Sequence, residues 1–218
     1  MMITTELMAD LLRRFVLLDD EAIVWSKEFA DGPLLDVETT DRAFSVRVVR
    51  DWLLVEQAPW VEAVVVATRE DQEVAGPLPR YTFLVADDGT AVRLDDPATV
   101  AALGMRLHRG ELDLTAYAEL LVQCQWRGGR QKRLVLDPVA WRDEYPAEAN
   151  LPPVEPMSTS RADGVLRVRF FASREDTRMV GGRPVLEVAA WSVRIPAGEP
   201  ATWEIQPVGE PAPLLPPW

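Results

Sequence analysis

Residues 61–94, VEAVVVATREDQEVAGPLPRYTFLVADDGTAVRL, decide the fold class of this chain. Two apolar runs in this stretch, Val61–Thr68 and Arg80–Ala86, are rich in β-branched or aromatic residues and are typical of strands. The sequence Asp87-Asp88-Gly89 separates the second run from Ala91–Leu94, which favours a tight turn between two antiparallel strands. The stretch therefore predicts antiparallel β-sheet.

The residues before this stretch predict one helix and then further strands. Thr4 and Thr5 are suitable N-caps, and large apolar residues recur after them at three- and four-residue spacing. We therefore expect a helix over about residues 5–18. Alternating apolar residues predict a strand at Phe44–Val48, and the composition of Trp52–Gln57 favours another.

Helical spacing returns after the predicted hairpin. Asp96-Pro97 and Asp113 are favourable helix starts, which predicts a helical insert over about residues 97–125. Further strands are predicted at Arg133–Leu136, Val165–Ala172, Pro184–Ile195 and Thr202–Gln206. The expected fold class is therefore α+β, with a mainly antiparallel β-sheet, an N-terminal helix and this helical insert.

Proline-rich segments indicate how the chain is organised. Residues 146–157 contain four prolines, which is typical of a linker or of an ordered loop on the surface. The expected parts are an N-terminal α+β unit at 1–145, a C-terminal β unit at 158–207 and a proline-rich tail at 208–218. One compact domain and two smaller ones are equally compatible with this pattern.

Two stretches of the chain are similar to each other. Residues 67–79 and 172–184 align without gaps and are identical at six of thirteen positions. The similarity raises the hypothesis of an internal duplication of a β unit, against the alternative of two similar surface hairpins. Their polar residues are expected at solvated hairpin tips. The candidate binding residues there are Arg69, Glu70, Asp71, Arg174, Glu175 and Asp176.

The composition excludes several common kinds of functional site. The chain has one histidine, His108, and one cysteine, Cys124. It therefore cannot form an intrachain disulfide, a Cys/His zinc site or an iron–sulfur cluster. It also lacks the glycine motifs that bind phosphate and the G-x-S-x-G motif of hydrolases. We expect no metal site and no cofactor.

Charge and hydropathy predict the compartment and disfavour two classes of partner. The 35 acidic and 23 basic residues give a net charge of −12, which opposes binding to nucleic acid and to anionic membranes. No uninterrupted apolar run is long enough to span a membrane, and the first 25 residues lack the pattern of a secretion signal. Arginine outnumbers lysine 21 to 2, typical of a GC-rich bacterial genome. We expect a bacterial cytoplasmic protein.

His108 and Cys124 are the two candidate catalytic residues. A histidine can act as general base for a cysteine nucleophile if the fold brings the two together. The alternative is structural, since a basic residue stabilises the C-terminal end of a helix and a lone cysteine packs as a small apolar residue. Carboxylates of the two similar segments could form an acid–base pair if the segments converge. The sequence favours the structural alternative.

Residues 126–133, WRGGRQKR, are the most basic segment of the chain. Guanidinium groups beside glycines can hold phosphate, and an indole ring can stack on a base. The alternative is a cationic helix terminus that leads into a strand edge. An acidic patch on another protein, or on a second copy of this chain, fits the net charge better than nucleic acid. The candidate binding residues here are Trp126, Arg127, Arg130, Lys132 and Arg133.

The function expected from the sequence is non-catalytic. We expect a binding or accessory protein that recognises another protein through its sheet surface and loop tips, because no common active-site pattern is present. One alternative is a metal-independent hydrolase or isomerase that uses carboxylates, with or without His108. The other is binding of nucleic acid or phosphate through residues 126–133.

Overall fold

A computed structural model describes residues 4–28, 34–70, 80–126, 130–145, 149–180 and 183–213 of the chain. The chain divides into two compact units, Met1–Thr99 and Val100–Trp218. Mainly antiparallel sheets and an N-terminal helix confirm the predicted α+β class. The proline-rich segment at 146–157 lies within the second unit.

The elements of the first unit follow one another in a simple order. They are α1 (Thr5–Phe15), β1 (Ile23–Glu28), β2 (Leu34–Thr39), β3 (Ala43–Val49), α2 (Leu53–Gln57), β4 (Val61–Arg69), β5 (Arg80–Ala86) and β6 (Ala91–Arg93). Helix α3 (Pro97–Leu103) includes the point of division.

The second unit contains the remaining helices and the longest strands. Its elements are α4 (Met105–His108), α5 (Leu114–Gln125), β7 (Arg130–Val135), α6 (Pro138–Asp143), β8 (Ser158–Ala162), β9 (Val165–Val180), β10 (Arg183–Pro196), β11 (Thr202–Pro207) and β12 (Ala212–Pro213).

The first unit is a six-stranded antiparallel sheet covered by α1. Its strands pair in the order β1 to β6, each with its neighbour in sequence. The Thr4 hydroxyl accepts a hydrogen bond from the Leu7 N–H at 3.2 Å, which confirms the predicted N-cap. The buried side chains of Met8 and Leu12 on α1 pack on the inner face of the sheet, around residues such as Phe83. This apolar contact forms the core of the unit.

Two local predictions in the first unit have opposite outcomes. The predicted hairpin of Arg80–Ala86 with the next strand is confirmed, and Gly89 in its turn has φ of +82°. The strand predicted at Trp52–Gln57 is wrong, because α2 occupies that position. Strands β3 and β4 are antiparallel, so the chain must reverse its direction between them. A short helix makes this reversal: it buries Leu54, and its backbone N–H and C=O groups form hydrogen bonds within the helix.

A buried ion pair fixes the connection between α1 and the β2–β3 hairpin. The Glu21 carboxylate is fully enclosed and accepts bonds from the Arg42 guanidinium, from the Thr39 hydroxyl and, at 3.2 Å, from the Leu18 N–H. Arg42 also donates to the Val16 carbonyl oxygen at 3.1 Å. These contacts, the Arg42 hydrogen bond foremost, lower the pKa of Glu21 from 4.5 to about 2. Glu21 therefore stays ionised in the folded protein.

The second unit is built on the long antiparallel pair β9–β10. The sheet order is β11-β10-β9-β7, with β8 paired to β9 and β12 paired to β10. Strands β7 and β8 share one edge of β9, since β7 pairs with residues 171–175 and β8 with residues 165–169.

On one face of the sheet, other parts of the chain cover the half that contains β7 and leave the half that contains β8 exposed. Trp141 of α6 packs there on Phe171 and Val188, and Leu151 and Val154 from the proline-rich segment pack on the same cluster. The segment at 149–157 is thus an ordered surface loop, one of the two predicted alternatives. On the half of the sheet formed with β8, the same face is exposed.

The helical insert is present but breaks at Gly104. Its predicted first cap is confirmed, because the Asp96 carboxylate accepts from the Thr99 N–H at 3.1 Å. Asp113 likewise caps α5. A Cβ on Gly104 would lie 2.8 Å from the Ala201 Cβ and 3.0 Å from the Tyr117 hydroxyl, so only glycine permits this close approach.

The two similar sequence segments lie in corresponding contexts. Residues 67–69 end β4, which pairs with β5, and residues 172–180 lie in β9, which pairs with β10. Both segments thus belong to antiparallel hairpins, as predicted, while residues 71–79 lie outside the described residues. The solvated-tip prediction is wrong for Arg174, which lies inside β9 with its side chain largely buried. The internal duplication stays a hypothesis.

Candidate binding interface

The exposed half of the second sheet carries two rows of polar side chains. Strand register places Ser160, Arg167, Arg194 and Thr202 side by side across β8, β9, β10 and β11. The neighbouring row is Ser158, Arg169, Ser192 and Glu204. All eight side chains are exposed. We call this set of eight residues the Arg–Ser face.

A tight turn and the two-residue period of the strands produce this arrangement. Asp163 and Gly164 both have positive φ, at 52° and 73°, as a two-residue hairpin turn of the primed type requires. That turn fixes the register of β8 against β9. Val168 and Val193 alternate with the arginines and are buried on the opposite face, so the arginines must face solvent.

The central feature of the Arg–Ser face is a cross-strand pair of like charges. Arg167 and Arg194 are direct register partners on β9 and β10, and Arg169 follows two residues along β9. Side chains in such a pair have Cβ atoms about 5 Å apart, and like charges placed there are destabilising. The Arg167–Arg194 pair therefore carries an energetic cost to the fold, and the Arg169 guanidinium beside it lies 5.5 Å from the centre of the Phe171 ring.

Two carboxylates of the described residues lie beside these charges. Within the described residues, Arg169 approaches the Glu155 carboxylate at 4.0 Å, and both side chains are mostly exposed. Neither Arg167 nor Arg194 has an ion pair within that same part of the chain. Glu204 lies in the row beside them, opposite Ser192. Three arginines thus face two described carboxylates, those of Glu155 and Glu204, on this part of the sheet.

The Arg–Ser face lines a broad, open hollow of about 580 Å³. Serine and threonine side chains are short, so the arginine side chains extend further from the sheet than they do. The serine and threonine hydroxyls stay accessible between the arginines. The floor of the hollow is the sheet itself, and it includes strand residues that lie between the two polar rows, such as Val168 and Trp203. An open polar surface of this shape suits an anionic partner that lies across it rather than a small molecule that is enclosed.

The structure gives His108 a structural contact. Its Nε2 lies 2.9 Å from the Ile195 carbonyl oxygen, which can only accept, so Nε2 carries the proton in this contact. The bond ties the end of α4 to β10. Cys124 lies near the end of α5 and is half-buried. The hypothesis that these two residues form a catalytic pair, which the sequence disfavours, stays untested.

Trp126 and Arg174 lie together on the face of the second sheet opposite the Arg–Ser face. The Arg174 guanidinium stacks 4.5 Å from the centre of the Trp126 ring and donates to the Glu187 carboxylate. Trp126 is 7% exposed and meets the edge of the Trp191 ring. A small pocket of about 190 Å³ borders these residues. The indole that was a candidate for base stacking is thus packed mainly against the protein.

Two further side chains of the basic segment 126–133 contact other residues of the second unit. Lys132 donates to the Gln123 carbonyl oxygen at 3.1 Å, and Arg133 pairs with Glu144 in a half-exposed contact. Arg127 lies outside the described residues, and Arg130 is described only as a backbone position on β7. The binding role predicted for this segment stays untested.

The acidic residues of the two similar segments are described only in part. Glu70 is exposed at the end of β4, where its N–H donates to the Ala43 carbonyl oxygen at 2.8 Å. Arg69 and Glu175 are half-buried on their strands. Asp71 lies outside the described residues, and so does the side chain of Asp176. Their binding role therefore stays a prediction.

The described part of the chain lacks two further classes of feature. No group of three or more His, Cys, Asp or Glu side chains there is placed to hold a metal ion. None of the helices described is long and apolar enough to cross a membrane.

No protein-family model matches the sequence, and no significant match is found to a curated protein or to a solved structure. The geometry of the Arg–Ser face is therefore the basis for any inference about function.

Proposed function

We propose that this chain is a binding protein that recognises an acidic segment of another protein through the Arg–Ser face. The observation that carries the proposal is the exposed cross-strand pair of Arg167 and Arg194, with Arg169 beside it. Folding alone gives no reason to place like charges opposite each other on a sheet. A carboxylate-rich partner removes that cost by pairing with the guanidinium groups.

The chemistry of the Arg–Ser face supports an acidic polypeptide over nucleic acid. Nucleic-acid affinity depends on a basic field that neutralises many phosphates, and this chain has a net charge of −12. Three arginines with two acidic neighbours, Glu204 and Glu155, form a local patch rather than a long basic track. Hydroxyls of Ser160 and Thr202 flank the arginine pair and can donate to carboxylates.

The proposal is tested by measuring binding of a fluorescent 20-residue polyglutamate peptide by anisotropy. The variant Arg167→Gln/Arg169→Gln/Arg194→Gln removes the three charges of the Arg–Ser face. The control Arg13→Gln/Arg14→Gln/Arg109→Gln removes three exposed charges elsewhere and changes the net charge equally. Exposed ion pairs contribute about 0.5 kcal/mol each, so we expect roughly tenfold weaker binding for the first variant only.

Two outcomes would overturn the proposal. Equal losses in both triple variants would show that net charge, not the Arg–Ser face, governs binding. Tighter binding of a single-stranded oligonucleotide than of polyglutamate, lost in the first variant only, would assign the face to nucleic acid instead.

A further inference from the structure

Strand β8 forms an open edge of the sheet beside the Arg–Ser face. All five of its residues, Ser158–Ala162, are exposed, and it pairs with β9 on one side. No strand of the described residues pairs with its other side. The N–H and C=O groups along such an edge form a template on which another extended chain can add.

The β8 edge lacks the features that usually block such pairing. It contains no proline, and its one charged side chain, Arg161, is the register partner of Leu166 and so belongs to the opposite face. The other edge of this half-sheet, β11, carries Glu204 on the Arg–Ser face and ends at Pro207. The Glu204 carboxylate on this edge disfavours the addition of an acidic strand.

The spacing of charges matches an added strand. Residues two apart in an extended chain lie roughly 6.6 Å apart, so alternate side chains of a partner strand have the same repeat as Arg167 and Arg169. A strand added to β8 lies about 10 Å, two strand spacings, from β9. Ser158 and Ser160 lie between them and are small, which leaves the arginines accessible from that side.

We infer that the partner binds as an extended segment that adds to the β8 edge, with acidic side chains at alternate positions directed over the Arg–Ser face. This inference rests on the proposed function and specifies the kind of segment that is recognised. Backbone hydrogen bonds to β8 supply pairing that is independent of sequence, and the arginines select the alternating carboxylates.

Three labelled peptides of one composition test the inference. The first is Glu-Thr-Glu-Thr-Glu-Thr-Glu. The second is the block Glu-Glu-Glu-Glu-Thr-Thr-Thr, which has the same charge without alternation. The third is the first sequence N-methylated at every residue, which keeps its charges and loses every backbone donor. Anisotropy gives the affinities, and hydrogen exchange of the full chain reports on the amides of residues 158–162.

We expect the alternating peptide to bind several-fold more tightly than the block peptide and at least tenfold more tightly than the methylated one. We also expect it to slow exchange at residues 158–162. Equal affinity of the alternating and methylated peptides, with loss in the Arg167/Arg169/Arg194 variant, would overturn strand addition and leave the proposed function intact. No binding of any peptide or of polyglutamate would overturn both.

Discussion

Replacing Glu21 with glutamine keeps the shape of the side chain and removes the charge that faces Arg42. In the folded protein the pKa of Glu21 is about 2, against an ordinary value of 4.5. A difference of this size corresponds to about 3 kcal/mol of stabilisation of the ionised form. Removing one partner of a buried ion pair costs a similar amount, because the other charge stays buried without compensation. We therefore expect Glu21→Gln to lower the free energy of unfolding at pH 7 by about 3 kcal/mol.

The pH dependence of this effect has a definite sign. Because the pKa is lower in the folded state, the Glu21 carboxylate stabilises the fold fully above about pH 4.5, and this contribution is lost as the pH falls toward 2. The difference between the unmodified chain and Glu21→Gln should therefore shrink across that range. Urea unfolding followed by circular dichroism measures it, and hydrogen exchange over β2 and β3 assigns it to the first unit.

A matched control for this variant is Glu38→Gln, on the exposed side of β2 in the same unit. We expect it to change stability by less than about 0.5 kcal/mol, as is usual for surface substitutions. Unfolding curves of Glu21→Gln and Glu38→Gln that coincide at pH 7 would refute the assignment of Glu21 as a stabilising buried anion.

Three further substitutions test the packing of the second unit, each by its effect on urea or thermal unfolding. Gly104→Val should destabilise the protein by about 1–3 kcal/mol, since its side chain would clash with Ala201, and an unchanged melting temperature would contradict that contact. Asp113→Ala should cost about 1 kcal/mol by removing the cap of α5, and should shift the urea midpoint without a change in slope. Arg174→Ala should cost about 3 kcal/mol or more because the largely buried Glu187 carboxylate loses the Arg174 guanidinium. Arg133→Ala, in a half-exposed pair, should cost less than about 1 kcal/mol, and the reverse order would contradict the burial of the two pairs.

Local signals predicted much of the secondary structure. The boundaries of β5 were predicted from its apolar run and the Asp-Gly turn that follows, and the Asp113 cap marks the start of α5. These signals depend on residues within a few positions of each other, which is why they can be recognised without knowledge of the fold. The strand predicted at Trp52–Gln57 is wrong because the need to reverse the chain outweighed a weak propensity.

Two elements were missed although a local signal was present. Asp163-Gly164 is a strong two-residue hairpin signal, and it joins β8 to β9. Asp137-Pro138 repeats the helix-start pattern of Asp96-Pro97, and α6 begins there. The first signal predicts a hairpin with its turn at residues 163–164, and therefore a strand that ends just before Asp163.

The Arg–Ser face was missed for a different reason. The alternation of Arg167 and Arg169 with apolar residues is visible in the sequence and indicates one exposed strand face. Their proximity to Arg194 depends on the register between β9 and β10, whose paired residues are up to 31 positions apart. That register is set by the whole sheet, so no local pattern predicts the cluster. The segment at 126–133 stood out because its charges are contiguous in sequence.

The most direct test of the central claim is to map where an acidic peptide binds. Amide chemical shifts of the labelled chain, followed during titration with polyglutamate, locate the contact surface residue by residue. We expect the largest changes on the four strands of the Arg–Ser face, at residues 158–160, 167–169, 192–194 and 202–204. Changes concentrated instead at residues 130–133, with the Arg–Ser face unaffected, would contradict the account.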